Sequence, residues 1–100
     1  MIEPRILALP SILDLRAVIG LKADIEACGA APIEVDASKV ERIGAPCLQV
    51  LLAAAKAWIS GGRGWRIASA SEAFRDDVRV MGAATKLQLD GDKVPGSGAC

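Results

Sequence analysis

Apolar positions along the chain follow two periods in turn. Residues 5–9 (RILAL), 33–36 (IEVD) and 65–68 (WRIA) are short apolar stretches or alternate between apolar and polar, as strands do. Residues 11–13 continue the first stretch in extended form. Between these stretches the spacing lengthens to that of a helix. Asp14 is a good N-cap for a helix over 15–28. Val18, Leu21, Ile25 and Cys28 form its core face, Arg16, Lys22 and Glu26 face water, and Gly29 stops it. A second helix runs over 46–60. Pro46 fits its first position, where a missing N–H costs nothing, and Gly44 admits whatever backbone angle the start requires. A third helix ends near Met81. Ser69 and Glu72 read as a capping box, Phe74, Val78 and Met81 as its core face, and Arg75, Asp76, Asp77 and Arg79 as its wet face. Residues 85–89 (TKLQL) alternate and predict a last short strand. Residues 90–100 are rich in glycine and polar residues.

Strand and helix alternate from end to end. The expected fold is therefore α/β, a single layer of helices on a mainly parallel (mixed) sheet of four to five strands. One domain spans 1–90, followed by a flexible tail over 91–100.

The helix over 46–60 departs from the usual amphipathic pattern. Leu48, Leu51, Leu52, Ala55 and Ile59 form the expected core stripe, and Gln49, Lys56 and Ser60 a narrow polar arc. Val50, Ala53, Ala54 and Ala57, and then Cys47 and Trp58, complete a circumference that is mostly apolar or small. A solvated helix carries charge on its outer side. Either this helix is buried on two sides within the fold, or the strip of Val50, Ala53 and Ala57 meets a protein partner, the preferred reading for a chain this small.

Composition narrows the chemistry. Twelve basic and twelve acidic residues cancel, which removes the electrostatic footprint of a nucleic-acid binder. No apolar run is long enough to cross a bilayer, and the first residues do not form a signal peptide, so a cytoplasmic protein without membrane insertion is expected. The absence of histidine excludes His-based triads and His-ligated metals within the chain. Cys28, Cys47 and Cys100 suit neither a disulfide framework nor a zinc site. No metal, no cofactor and no catalytic residue is expected. Gly61-Gly62-Arg63-Gly64 matches neither a P-loop nor the dinucleotide pattern, and it lies between a helix and a strand, the wrong order for either.

Residues Val35-Asp36-Ala37-Ser38-x-Val40-x-x-Ile43, followed by Cys47-Leu48-x-Val50-Leu51-Leu52, resemble the diagnostic core of the STAS domain family. Its members typically read V-D-L-S-x-V-x-x-I-D-[ST]-[SA]-G-L-x-x-L-L there. The resemblance covers nearly the whole chain. It implies the fold of anti-sigma-factor antagonists, and within the family it is most similar to the small stand-alone proteins of bacterial chemotaxis operons. In the family's switch members, D-[ST]-[SA]-G carries a phosphorylatable hydroxyl. Here those positions are Gly44-Ala45-Pro46-Cys47, which hold none. The resemblance still carries a partner-binding surface over to Gly44, Ala45, Pro46, Cys47 and Val50.

Several residues have two readings. Asp36 and Ser38 are read as turn formers, with Ser38 the weaker candidate for a displaced phosphosite. Cys47, near a helix N-terminus, could have a lowered thiol pKa, but a small packing residue is the preferred reading. Trp58 is read as packed rather than as an interface anchor. The expected function is a regulatory interaction module of bacterial signalling. Its partner would be a chemotaxis kinase or another signalling protein. A STAS subunit of a lipid-trafficking ABC-type transport complex, an anti-sigma-factor antagonist and a homodimer stay open as alternatives.

Overall fold

The structure is a computed structural model that describes residues 3–83, 86 and 87. Among these residues five strands and three α-helices follow in the order β1 (Arg5–Ala8), β2 (Ile12–Leu13), α1 (Val18–Ala27), β3 (Ile33–Ala37), β4 (Arg42–Ile43), α2 (Ala45–Ser60), β5 (Trp65–Ala70) and α3 (Glu72–Val80). Strands β1, β3 and β5 form one sheet in the spatial order β1-β3-β5, and β2 pairs with β4 in a second, two-stranded sheet. Among the described residues every pairing is parallel, each closed across a helix-containing crossover, and the main sheet has three strands where four to five were expected, because β2 and β4 pair apart from it.

The central strand β3 alternates as its sequence does. Ile33, Val35 and Ala37 are buried beside Leu7 and Trp65. The opposite face of the sheet is open. It carries Ile6, at 62% exposure, with exposed Ala8 and Arg66. Glu34 and Asp36 are half-buried on that face, and Glu34 meets Arg66 at 3.8 Å. The helices therefore cover one face only. Helices α1 and α2 pack on each other, and α3 packs against β4.

Several expectations shift in detail. The helix expected over 15–28 is a 3₁₀ turn, Leu15–Ala17, followed by α1. Asp14 caps that turn by accepting from the Arg16 N–H at 3.1 Å. Gly29 ends α1 in the left-handed region, at φ 62°, where glycine is the least strained residue. Helix α2 begins one residue earlier than expected, so Pro46 takes its second position, still inside the first turn. Gly44 sits at φ −93° and ψ 168°, an extended conformation open to any residue, so no special angle is needed there.

Strand β5 runs on to Ala70, past the expected cap, and the cap of α3 is Ser71 instead of Ser69. The Ser71 hydroxyl accepts from the Phe74 N–H at 3.0 Å. Pairing with β3 holds Ser69 and Ala70 in the sheet, which displaces the cap by two residues. Phe74 and Val78 are buried as expected, but Met81 lies just beyond the helix and is 39% exposed. Of the strand expected over 85–89, Lys86 and Leu87 form a turn in which Leu87 N–H bonds the Ala83 carbonyl, and the other residues lie outside those described. The tail over 91–100 and Cys100 also lie outside them.

Candidate docking surface

The start of α2 is held from three directions. Strand β3 ends in an Asp36–Ser38 turn, in which Asp36 Oδ1 accepts from both the Ser38 N–H (3.0 Å) and its hydroxyl (2.6 Å). The bond from the hydroxyl, and then that from the amide, lowers the Asp36 pKa below the usual carboxylate value. Beyond the turn, the Ser71 hydroxyl donates to the Val40 carbonyl. Asp77 Oδ2 accepts from the Ile43 N–H at 3.1 Å. The Gly44 N–H bonds the Leu13 carbonyl at 2.9 Å. Helix α3 and strand β2 thus fix the segment that leads into α2. Sequence reading placed Asp77 on the wet face of α3. Its bond crosses 34 residues to a backbone N–H, and no local pattern signals such a contact.

Of the residues carried over from the family pattern, Ala45 and Pro46 are exposed and Gly44 is half-buried. Cys47 is fully buried. Its thiol donates to the Asp14 carbonyl at 3.2 Å. Cys47 therefore supports the surface from beneath and does not form part of it. Burial pushes its thiol pKa up, with a smaller contribution from the nearby Asp14 charge. A buried thiol bonded to a carbonyl fits the packing reading of Cys47 and not the activated-thiol one.

The buried side of α2 consists of Cys47, Leu48, Leu51, Ala54, Ala55 and Trp58. The expected stripe was turned toward Leu52 and Ile59, yet Leu52 is half-buried and Ile59 is 41% exposed. Two contacts account for the rotation. The Trp58 indole N–H reaches the Ala31 carbonyl at 2.8 Å, and the Arg63 guanidinium stacks on its ring at 4.6 Å. Both draw Trp58 inward, and Ala54 follows it toward α1. Small residues carry little weight in a hydropathy pattern, so the sequence favoured the larger Leu52 and Ile59.

The outward side of α2 is a ridge of Gln49, Ala53, Lys56, Ala57 and Ser60, all exposed, with Val50 half-buried at its flank. Ala53 and Gln49 border a groove on each side of the ridge. The groove toward α1 measures about 520 Å³ and includes Lys22, Ile25, Glu26 and Val50. The groove on the far side measures about 580 Å³ and includes Leu52, Lys56, Ile59 and Lys86. Among the described residues no polar or charged side chain is buried, and no group of three or more acidic, Cys or His residues could hold a metal ion. No described helix is long and apolar enough to cross a membrane. The surface offers apolar contact beside exposed positive charge.

The profile of the family described as "Mlab, STAS domain" matches residues 3–90. No curated protein and no solved structure matches the chain. The chain belongs to the STAS domain family, a family of regulatory and interaction modules.

Proposed function

We propose that this STAS domain is a non-enzymatic interaction module that docks a protein partner through the start and outer face of α2, without phosphorylation at that site. The observation that carries the reading is the exposed side of α2. Ala45, Pro46, Ala53 and Ala57 lie in the open where a solvated helix would carry Lys or Glu. Small side chains let a partner approach the helix closely, and apolar contact gains about 25 cal/mol per Å² removed from water. Residues 44–47 carry no hydroxyl to accept phosphate. The nearest one in sequence, on Ser38, is already bonded to Asp36.

The partner we favour is a chemotaxis kinase or another protein of bacterial signalling, with the module in the cytoplasm. A second reading, a STAS subunit of a membrane transport complex docked on its ATPase, stands beside it because the matching profile is that of Mlab-type STAS domains. An anti-sigma-factor antagonist would use the same face.

Purified chemotaxis kinase and purified transporter ATPase, each offered to the immobilised full chain, separate these readings. The kinase is expected to be captured by the wild type and lost with Ala53→Lys and Ala57→Lys, while the melting temperature of both variants, changed only at exposed positions, stays close to the parent. Capture of the ATPase alone selects the transport reading. Capture that survives both substitutions removes the α2 face from the proposal.

A further inference from the structure

The two grooves beside α2 say what kind of partner segment fits, and this inference rests on the docking reading above. The chain carries no net charge, yet among the described residues Lys22, Lys56 and Lys86 border the grooves against the single acid Glu26. Among the described residues none of the three lysines has a hydrogen bond or an ion-pair partner. The far groove pairs its two lysines with the exposed apolar flank of Ile59. Local positive charge beside apolar walls calls for a ligand with the opposite charge pattern.

The shape narrows the ligand further. The exposed ridge is a helix, whose backbone groups are already bonded within it, so an extended strand would find no ladder to join. A flat membrane surface would rest on the ridge and leave the grooves unfilled. A helix laid across Ala53 can approach closely, because only a methyl group stands between the axes, and its side-chain rows fall into the hollows on both sides.

We propose that the partner segment is an acidic amphipathic helix that crosses α2 at Ala53. Its apolar row fills the two grooves, and its flanking carboxylates meet Lys56 and Lys86 on the far side and Lys22 on the near side.

The test uses the full chain, labelled with ¹⁵N, and two synthetic amphipathic helices. One carries leucine along one face with glutamate on its flanks, and the other has lysine in place of each glutamate. The acidic helix is expected to bind, to shift the amides of Gln49, Ala53, Lys56 and Ile59, and to weaken as salt is added, since exposed charges are screened. Lys56→Glu combined with Lys86→Glu should cost about tenfold in affinity and turn the preference toward the basic helix, the behaviour of a charge pair across an interface. Both lysines are exposed, so the double variant keeps its fold.

Equal binding of the two helices overturns the proposal, as do shifts confined to the open sheet face around Ile6. Binding to vesicles of anionic phosphatidylglycerol, lost in the double variant while neither helix binds, would assign the lysines to a membrane surface. Groove shifts produced by Asp90→Lys without added peptide would assign the groove to the chain's own C-terminal residues. If the double variant still captures the purified partner that Ala53→Lys loses, this proposal fails and the docking reading stands. If Ala53→Lys leaves partner capture intact, the docking reading fails and this inference fails with it.

Discussion

Helices α2 and α3 differ in how they meet water. Helix α3 is strongly amphipathic. Phe74 and Val78 are fully buried, its start is capped by Ser71, Glu72 stands in its first turn and Arg79 in its last. Each charge lies where the helix dipole favours it. Helix α2 has no side-chain cap, no acid in its first turn and no base in its last, and much of its exposed ridge is alanine. The first helix is finished by solvent. The second has its inner side committed to the core and its outer side unfinished, the pattern on which the docking proposal rests.

The largest test of this contrast removes the inner sides. Phe74→Ala should cost about 3–5 kcal/mol and Leu51→Ala about 2–5 kcal/mol, since both side chains are fully buried and leave cavities. Denaturant titration measures both. A neutral Leu51→Ala would mean that α2 is held by something other than the core stripe described.

The next test concerns capping. Ser71→Ala should cost about 1–2 kcal/mol, because the hydroxyl both accepts from Phe74 and donates to the Val40 carbonyl. Ser69→Ala should stay within about 0.5 kcal/mol, since that residue is exposed on the sheet. Equal losses at the two positions would remove the assignment of the cap to Ser71. Here the sequence was half legible. A serine cap and a glutamate in the first turn of the third helix could be read from local pattern. Which serine does the capping depends on how far β5 pairs with β3, a contact about thirty residues away in the chain.

The same division holds elsewhere. Period and turn chemistry revealed β1, β3, β5 and all three helices, because each is long enough to repeat its pattern. The two-residue strands β2 and β4 carry no period and exist only because they meet each other. At the candidate site, helical spacing points Ala53 and Ala57 outward, as observed, whereas Ala45 and Pro46 come only from the family resemblance. The exposure of Leu52 and Ile59 was not legible, because the rotation of α2 is set by Trp58 and its bond to Ala31.

A smaller effect is expected at Cys47. Its folded thiol holds a proton to higher pH than the unfolded one, whose ordinary value is 9.0. The associated stability is fully present below that value and is lost as pH rises through the folded one. Unfolding free energy should therefore decline above about pH 9, and Cys47→Ala should flatten that part of the slope. Iodoacetamide should leave Cys47 unmodified in the folded protein at neutral pH, and rapid labelling would show that the thiol is not buried. The smallest effect is expected at the uncapped start of α2. A Cβ at Gly44 would meet the Leu13 carbonyl at 3.6 Å, an ordinary contact. Gly44→Asp should therefore stabilise the fold by about 0.3 kcal/mol through a new N-cap, seen as a slightly raised melting temperature.

Parallel pairing throughout has a consequence for the time course of folding. Arg5 meets Ile33, Ile12 meets Arg42 and Ile33 meets Trp65, so no two neighbouring strands can close as a hairpin. Among the described residues every ladder waits for a helix-containing crossover to bring its strands together, and none of them offers a small, fast-forming seed of sheet. The central strand β3 stays single-edged until β5 has arrived. A nascent chain emerging from the ribosome would hold β1 and β3 with the β3 edge unsatisfied until residues beyond Ala70 were out. Folding is then expected to be slower than that of a helical bundle of equal length.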